Sequence, residues 1–221
     1  MRRLLMCSIV LAGLGAVQPA IADVIYDNGT PDLLESYASD ANWHSGYAEQ
    51  ADDFVLQPGA TLLTDVHWWG VYAVAQTPLT DSFTIRLFED VAGVPDTSHF
   101  YEVSGIDGSR VATGTLEDNL FEIYSYSADI TPIQLNANTN YWISIVNDST
   151  DPDDDWYWTT SNGTSGNSAG RFVDGGPWND HGAELAFYLT GRSVVPEPAS
   201  MTMLGLGLAA LAYRRRKGAR T

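Results

Sequence analysis

The 221-residue chain has a single cysteine, Cys7, a single lysine, Lys217, and four histidines. Cys7 falls in an apolar N-terminal stretch, so residues 23–195 contain no thiol. That excludes a disulfide framework, thiol catalysis and a thiolate metal site from this region. Lysine is missing there too: Arg86, Arg110, Arg171 and Arg192 stand against 27 acidic residues, a net charge of −23. A body of that sign repels nucleic acid and anionic lipid. Neutral glycans, divalent cations and basic partners remain open to it. His44, His67, His99 and His181 form no His-x-x-x-His pair, so no zinc motif is written along the chain. A Gly-x-Ser-x-Gly elbow and a phosphate-cradling glycine loop are equally absent. Among so many carboxylates no pair stands out for glycoside hydrolysis, and the expectation is a protein that is not an enzyme and carries no organic cofactor.

What is there begins at the two ends. Arg2 and Arg3 precede an apolar stretch over residues 4–17, and Ala20-Ile21-Ala22 offers small residues at the cleavage positions. This is the layout of a secretory signal peptide over residues 1–22, cut by signal peptidase after Ala22. At the other end, Pro196-Glu197-Pro198 leads into the apolar residues 199–213, closed by Arg214-Arg215-Arg216-Lys217. A basic block after an apolar run stays cytoplasmic and holds the preceding chain outside. Fifteen residues at about 1.5 Å each reach roughly 22 Å, short of the ~30 Å hydrocarbon core, so the expected transmembrane helix is a weak anchor.

This tripartite tail, residues 196–221, resembles the PEP-CTERM sorting signal of Gram-negative bacteria. The resemblance implies processing by a membrane protease of the exosortase type near Pro196, Glu197 and Pro198, and a producer of exopolysaccharide. It also implies an exported protein, released or attached to the cell surface or matrix once the anchor is cut.

Between the ends, residues 23–195 are the size of one domain. Phe83, Ile85 and Leu87 alternate with Ser82, Thr84 and Arg86, and residues 140–146 and 184–189 repeat the pattern. Such alternation predicts half-buried strands. Further strands are expected at 24–26, 53–56, 62–72, 100–103, 110–116, 121–127, 156–159 and 171–173, with turns such as Asn28-Gly29 and Pro58-Gly59 between them. The nearest approach to a helix is residues 32–41. The predicted fold is all-β: an antiparallel two-sheet sandwich of the jelly-roll kind, with a closed barrel as the alternative. The sequence landmarks Asp52-Asp53-Phe54, Trp68-Trp69-Gly70 and the strand 186–191 resemble, loosely, domains found upstream of PEP-CTERM tails.

All seven tryptophans lie in this domain, and indole is the ring that stacks best on a sugar face. Trp156 and Trp158 share one strand face, beside Asp153 and Asp155, and Trp178 sits in the Gly175-Gly176-Pro177 turn. These three are the candidate glycan contacts; Trp68, Trp69 and Trp142, inside apolar strands, read as core. The run Asp151-Pro152-Asp153-Asp154-Asp155 suggests calcium, with Asp151, Asp153 and Asp155 as ligands. It is no EF-hand, because Trp156 stands where that loop needs glycine and Asn162 where it needs glutamate. A glycan-contacting surface protein is the first expectation. A matrix or surface-layer component assembled through divalent cations is the second, and a glycan-degrading enzyme the third.

Overall fold

The computed structural model describes residues 22–72, 80–148, 155–163 and 166–192, together with Gly205. Residues 1–21 of the expected signal peptide, the 196–221 tail apart from Gly205, and Asp151 and Asp153 lie outside the described residues. Among those described, no helix is long and apolar enough to cross a membrane.

The described residues form fourteen strands in two antiparallel sheets. In order they are β1 (Asp23–Asp27), β2 (Pro31–Ala38), β3 (Glu49–Val55), β4 (Leu62–Tyr72), β5 (Phe83–Val91), β6 (Val94–Pro95) and β7 (Tyr101–Ile106). There follow β8 (Val111–Glu117), β9 (Phe121–Gln134), β10 (Asn140–Asn147), β11 (Trp156–Ser161), β12 (Ser168–Arg171), β13 (Asn179–Asp180) and β14 (Phe187–Arg192). In the first sheet the long strand β4 pairs with β9 on one side. On the other it meets β14 along Leu62–Trp68 and then β11 from Gly70 to Tyr72. β1 and β2 continue outward from β14 and β11, and β8 from β9. The second sheet runs β13-β12-β3-β10-β5, with β6 and β7 both on β5. Two sheets face each other, as the alternating strands predict; the barrel alternative is not what forms.

Residues 32–41, the nearest approach to a helix in the sequence, are not helical. β2 occupies that stretch and pairs with β11, Tyr37 lying opposite Trp158. Leu33 takes φ 68°, a left-handed conformation that an α-helix of L-residues does not tolerate. The only helical turn nearby is a 3-10 segment, Trp43–Ser45. The strand expected at 171–173 ends at Arg171 instead, leaving Phe172 and Val173 exposed in a loop.

The core lies between the sheets. Val66, Trp68, Trp156, Trp158, Phe187 and Leu189 point inward from the first sheet to meet Phe54, Phe83, Ile85, Leu87, Ile143 and Ile145 of the second. Trp68 stacks on Tyr126 at 5.5 Å and meets the edge of Phe83 at 5.0 Å. Trp156 adds its own edge contact to Phe83 at 5.1 Å. Room for Trp156 comes from Gly70: a Cβ there would collide with the indole ring. The indole N–H groups of Trp68 and Trp156 have no partner, a desolvation cost of about 1–3 kcal/mol each. Ring burial and edge-to-face contacts outweigh it.

Truncating such a side chain loses transfer energy and leaves a cavity. Trp156→Ala is therefore expected to lower stability by about 3–5 kcal/mol in urea unfolding, and Gly70→Ala to destabilise by about 1–3 kcal/mol through overpacking. Unchanged midpoints in both variants would contradict this packing.

Candidate functional site

The structure corrects two of the three aromatic candidates. Trp156 and Trp158 are both 0 % exposed; they do share a face, and that face is the core. Neither ring has a surface to offer a sugar. Trp178 is half-buried over the outer face of the second sheet. Its indole nitrogen donates to the Asp96 carbonyl at 3.1 Å, the Arg171 guanidinium lies 4.4 Å from its ring centre, and Phe88 meets it edge-on at 5.4 Å. It acts as a lid on a small apolar cluster of Ala51, Phe88, Trp142 and Ala169. Asp155 is buried and accepts from the His44 backbone N–H at 3.3 Å, so it faces the protein rather than an open loop. Among the described residues no group of three His, Cys, Asp or Glu is placed to hold a metal ion.

Beside that lid runs an ionic network. Arg171 Nε donates to Glu49 Oε2 at 2.6 Å, Arg86 Nη1 to Glu49 Oε1 at 3.1 Å, and Ser144 Oγ to Glu49 Oε1 at 2.6 Å. Glu49 is fully buried. Arg86 also binds Glu102, and Arg171 also binds Asp174. Two of the four arginines in residues 23–195 are thus spent inside the protein, cancelling carboxylates rather than presenting positive charge.

Another half-buried indole, Trp69, which sequence reading assigned to the core, lies on the outer face of the first sheet. Since Val66, Trp68 and Gly70 point inward along β4, His67 and Trp69 point outward, and Tyr188 joins them because it lies opposite His67 on β14. His67 and Tyr188 stack at 4.1 Å with ring planes 5° apart, and Trp69 lies 5.7 Å from Tyr188. The signal was present in the alternation around Gly70; the apolar neighbours of Trp69 hid it.

Trp69 forms part of the lining of a groove of about 210 Å³. Thr30, Pro31 and Leu33 at the start of β2 wall one side, and Thr113 and Thr115 of β8 with Ile123 of β9 wall the other. The walls meet where the Asp118 N–H donates to the Leu33 carbonyl at 3.1 Å and Ser36 Oγ to Glu117 Oε1 at 2.7 Å. Leu33, the residue at φ 68°, is at this rim; strained backbone of this kind costs of order 1–3 kcal/mol and concentrates at binding sites. The backbone of Trp69 is held on the β14/β11 side of the central strand β4. Its N–H donates to Ala186 O at 3.3 Å, and its carbonyl accepts from Thr159 Oγ1 at 3.2 Å.

Polar groups flank the aromatic strip. Ser125 and Ser127 of β9 lie opposite Trp69 and His67, and Asp129 lies opposite Asp65. Burial opposes ionisation of Asp65, but hydrogen bonds from Thr64, Asp129 and Thr190 and the field of His67 hold its carboxyl below the usual range. Asp129, hydrogen-bonded to Asp65 and repelled by its charge, is pushed up. The hydrogen bond between the two carboxyls thus favours ionisation of Asp65 and opposes that of Asp129. Burial lowers the His67 pKa against the opposing pull of Asp65, so at neutral pH the imidazole is uncharged and stacks on Tyr188 as an apolar ring.

Compared with known proteins, residues 194–217 match the PEP-CTERM protein-sorting motif. This stretch includes Pro196, Glu197, Pro198, Arg214, Arg215 and Arg216, and it marks the chain as an exported protein, sorted to the surface by the exosortase route. No curated protein matches the chain. Among solved structures, the cysteine protease and lectin-like domains of Cwp84, a surface layer associated protein of Clostridium difficile, are similar over 66% of this chain and 32% of that one, at 11% identity and a TM-score of 0.47. The chain spans about a third of the length of that structure.

A histidine whose pKa is lowered by folding binds its proton more readily when unfolded, so its contribution to stability is complete above the unfolded value of about 6.5 and is lost as pH falls through the folded one. His67 is expected to titrate below 6.5 in an NMR pH titration, with stability rising as pH rises through that window. Titration at or above the ordinary value would contradict the stacked, neutral ring.

Proposed function

We propose that this exported, PEP-CTERM-bearing chain is a non-catalytic surface protein that contacts a neutral polysaccharide across the outer face of its first sheet. Trp69 carries the reading: it is the outward indole of a central strand, fixed in the backbone ladder, and it opens into a groove walled by threonines. A ring face there stacks on a pyranose with little side-chain entropy left to lose. Tyr188 extends the platform, while Asp27, Asp65, Asp129, Ser125 and Ser127 supply acceptors and donors for sugar hydroxyls.

The strand order supports the same reading. β2-β11-β4-β9 in one sheet and β3-β10-β5-β7 in the other, with the chain passing back and forth between them, is the jelly-roll order, common among lectin domains. The charge of −23 disfavours anionic polymers and leaves neutral ones. In this reading signal peptidase cuts after Ala22, the 199–213 segment anchors the chain, and an exosortase-type protease removes it near 196–198, leaving the domain on the surface or in extracellular polymer.

Affinity electrophoresis of the full chain through gels containing a panel of neutral polysaccharides tests this. At least one polysaccharide is expected to retard the wild type without release of reducing sugar. Trp69→Ala is expected to weaken that retention about tenfold, the equivalent of ~1.4 kcal/mol, with its circular dichroism unchanged. Retention of Trp69→Ala equal to wild type, or polymer degradation by the wild type, would overturn the proposal.

A further inference from the structure

The chain enters β12 through Gly166-Asn167, and within the strand the period of two places Ser168 and Gly170 on one face. Only Ser168 carries a side chain there. Oxygen atoms crowd against this bare backbone. A Cβ at Gly166 would meet Asp53 Oδ1 and both carboxylate oxygens of Glu184, the latter at 3.0 and 3.1 Å. One at Gly170 would meet Gln50 Oε1 at 2.6 Å and His181 Nε2 at 2.8 Å.

Four oxygens in this region are buried without any hydrogen-bond partner: Gln50 Oε1, Asp52 Oδ1, Ser168 Oγ and Glu184 Oε2. Strand register sets Ser168 opposite Asp52 and Gly170 opposite Gln50, so three of the four belong to one patch of the β3–β12 pair. Asp52 is 0 % exposed and Ser168 1 %. The other oxygen of Asp52 is already committed, accepting from Leu185 N at 2.5 Å and Asn28 Nδ2 at 3.3 Å. Asp53 Oδ1 accepts from Asn167 N at 2.9 Å.

Among the described residues no arginine forms an ion pair with Asp52, Asp53 or Glu184, and His181 lies at the Gly170 end, beside Gln50. Arg86 and Arg171 are bound to Glu49 and Arg110 to Asp81, while Arg192 ends β14 beside Leu62. Burial, followed by the charges of Glu184 and Asp53, holds the Asp52 carboxyl well above its ordinary range when it has protons alone for company. Ser168 Oγ can donate as well as accept, but the other three are oxygens of carboxylates and an amide, and one proton or one water satisfies only part of the set. A hard cation satisfies several at once, and mixed carboxylate, hydroxyl and amide oxygens are the ligand set such a cation selects.

We propose that a calcium-sized divalent cation binds between Asp52 Oδ1, Glu184 and Ser168 Oγ, with Gln50 Oε1 at its margin. The site is separate from the acidic run 151–155 and from the groove at Trp69. It ties the β12 edge of the second sheet to the segment leading into β14 of the first, and so fastens together the two sheets of a protein without disulfides.

Thermal unfolding of the full chain in detergent, stripped with chelator and then given CaCl2, MgCl2 or CaCl2 with excess EGTA, tests the site. Calcium at about a hundredfold above its Kd is expected to raise Tm by roughly 5–10 °C. EGTA is expected to reverse the rise, and magnesium to produce less of it. Asp52→Asn and Glu184→Gln are expected to abolish the calcium response, and Ser168→Ala to weaken it, whereas Asp151→Asn combined with Asp153→Asn retains it. If Asp52→Asn fails to fold, the Glu184→Gln and Ser168→Ala responses decide. A wild type indifferent to calcium would overturn the proposal. So would a full response in Glu184→Gln, or an Asp52→Asn chain that is more stable than wild type at neutral pH whatever the calcium concentration, since that identifies a protonated Asp52.

Discussion

The structure depends on the contact between Trp156 and the bare backbone of Gly70. An exported sandwich with no cysteine in residues 23–195 has no disulfide there to hold its sheets together and relies first on burial, the largest of it aromatic. Trp156 reaches across the inner face of β4 because Gly70 leaves the space, and there it joins Trp68, Tyr126 and Phe83 in one cluster. The same pleat that turns Gly70 and Trp68 inward turns Trp69 outward. Core packing and the proposed binding face are therefore two sides of one strand.

Charge follows a similar economy. With no lysine in the domain, the arginines go to places where carboxylates are most buried: Arg86 and Arg171 to Glu49, Arg110 to Asp81. Most other acids face water, where repulsion is screened over about 8–10 Å. Asp52, Glu117 and Asp155 are buried without an arginine ion pair, and Asp52 among them is fully buried with one oxygen left without a hydrogen-bond partner. That contrast is what separates a solvated acidic surface from a place that asks for a counterion.

Much of the fold was legible in the chain. Phe83, Ile85 and Leu87 alternate because they line the core, and β5 lies where that alternation puts it. The pairing of Trp156 with Trp158 on one face was equally readable. Which face it would be was not, because the polar residues before the strand suggested solvent, while the deciding partners, Gly70 and Phe187, are distant in sequence. Residues 32–41 carry no clear strand alternation in the sequence, and it is pairing with β11 that decides their conformation. Trp69 was misread for a related reason: surrounded by apolar neighbours, its outward direction depends on register with Ser125 and Ser127 of β9. The sorting motif needed no tertiary information, since short linear signals carry their chemistry in order along the chain.

The most direct measurement is oxidative footprinting of the seven tryptophans, read residue by residue by mass spectrometry, with and without a retained neutral polysaccharide. The account predicts that Trp68, Trp142, Trp156 and Trp158 stay unmodified in the folded chain, that Trp69 is oxidised, and that the polysaccharide protects Trp69. Oxidation of Trp156 or Trp158 in the native state, or protection falling on Trp178 while Trp69 reacts unchanged, would contradict it.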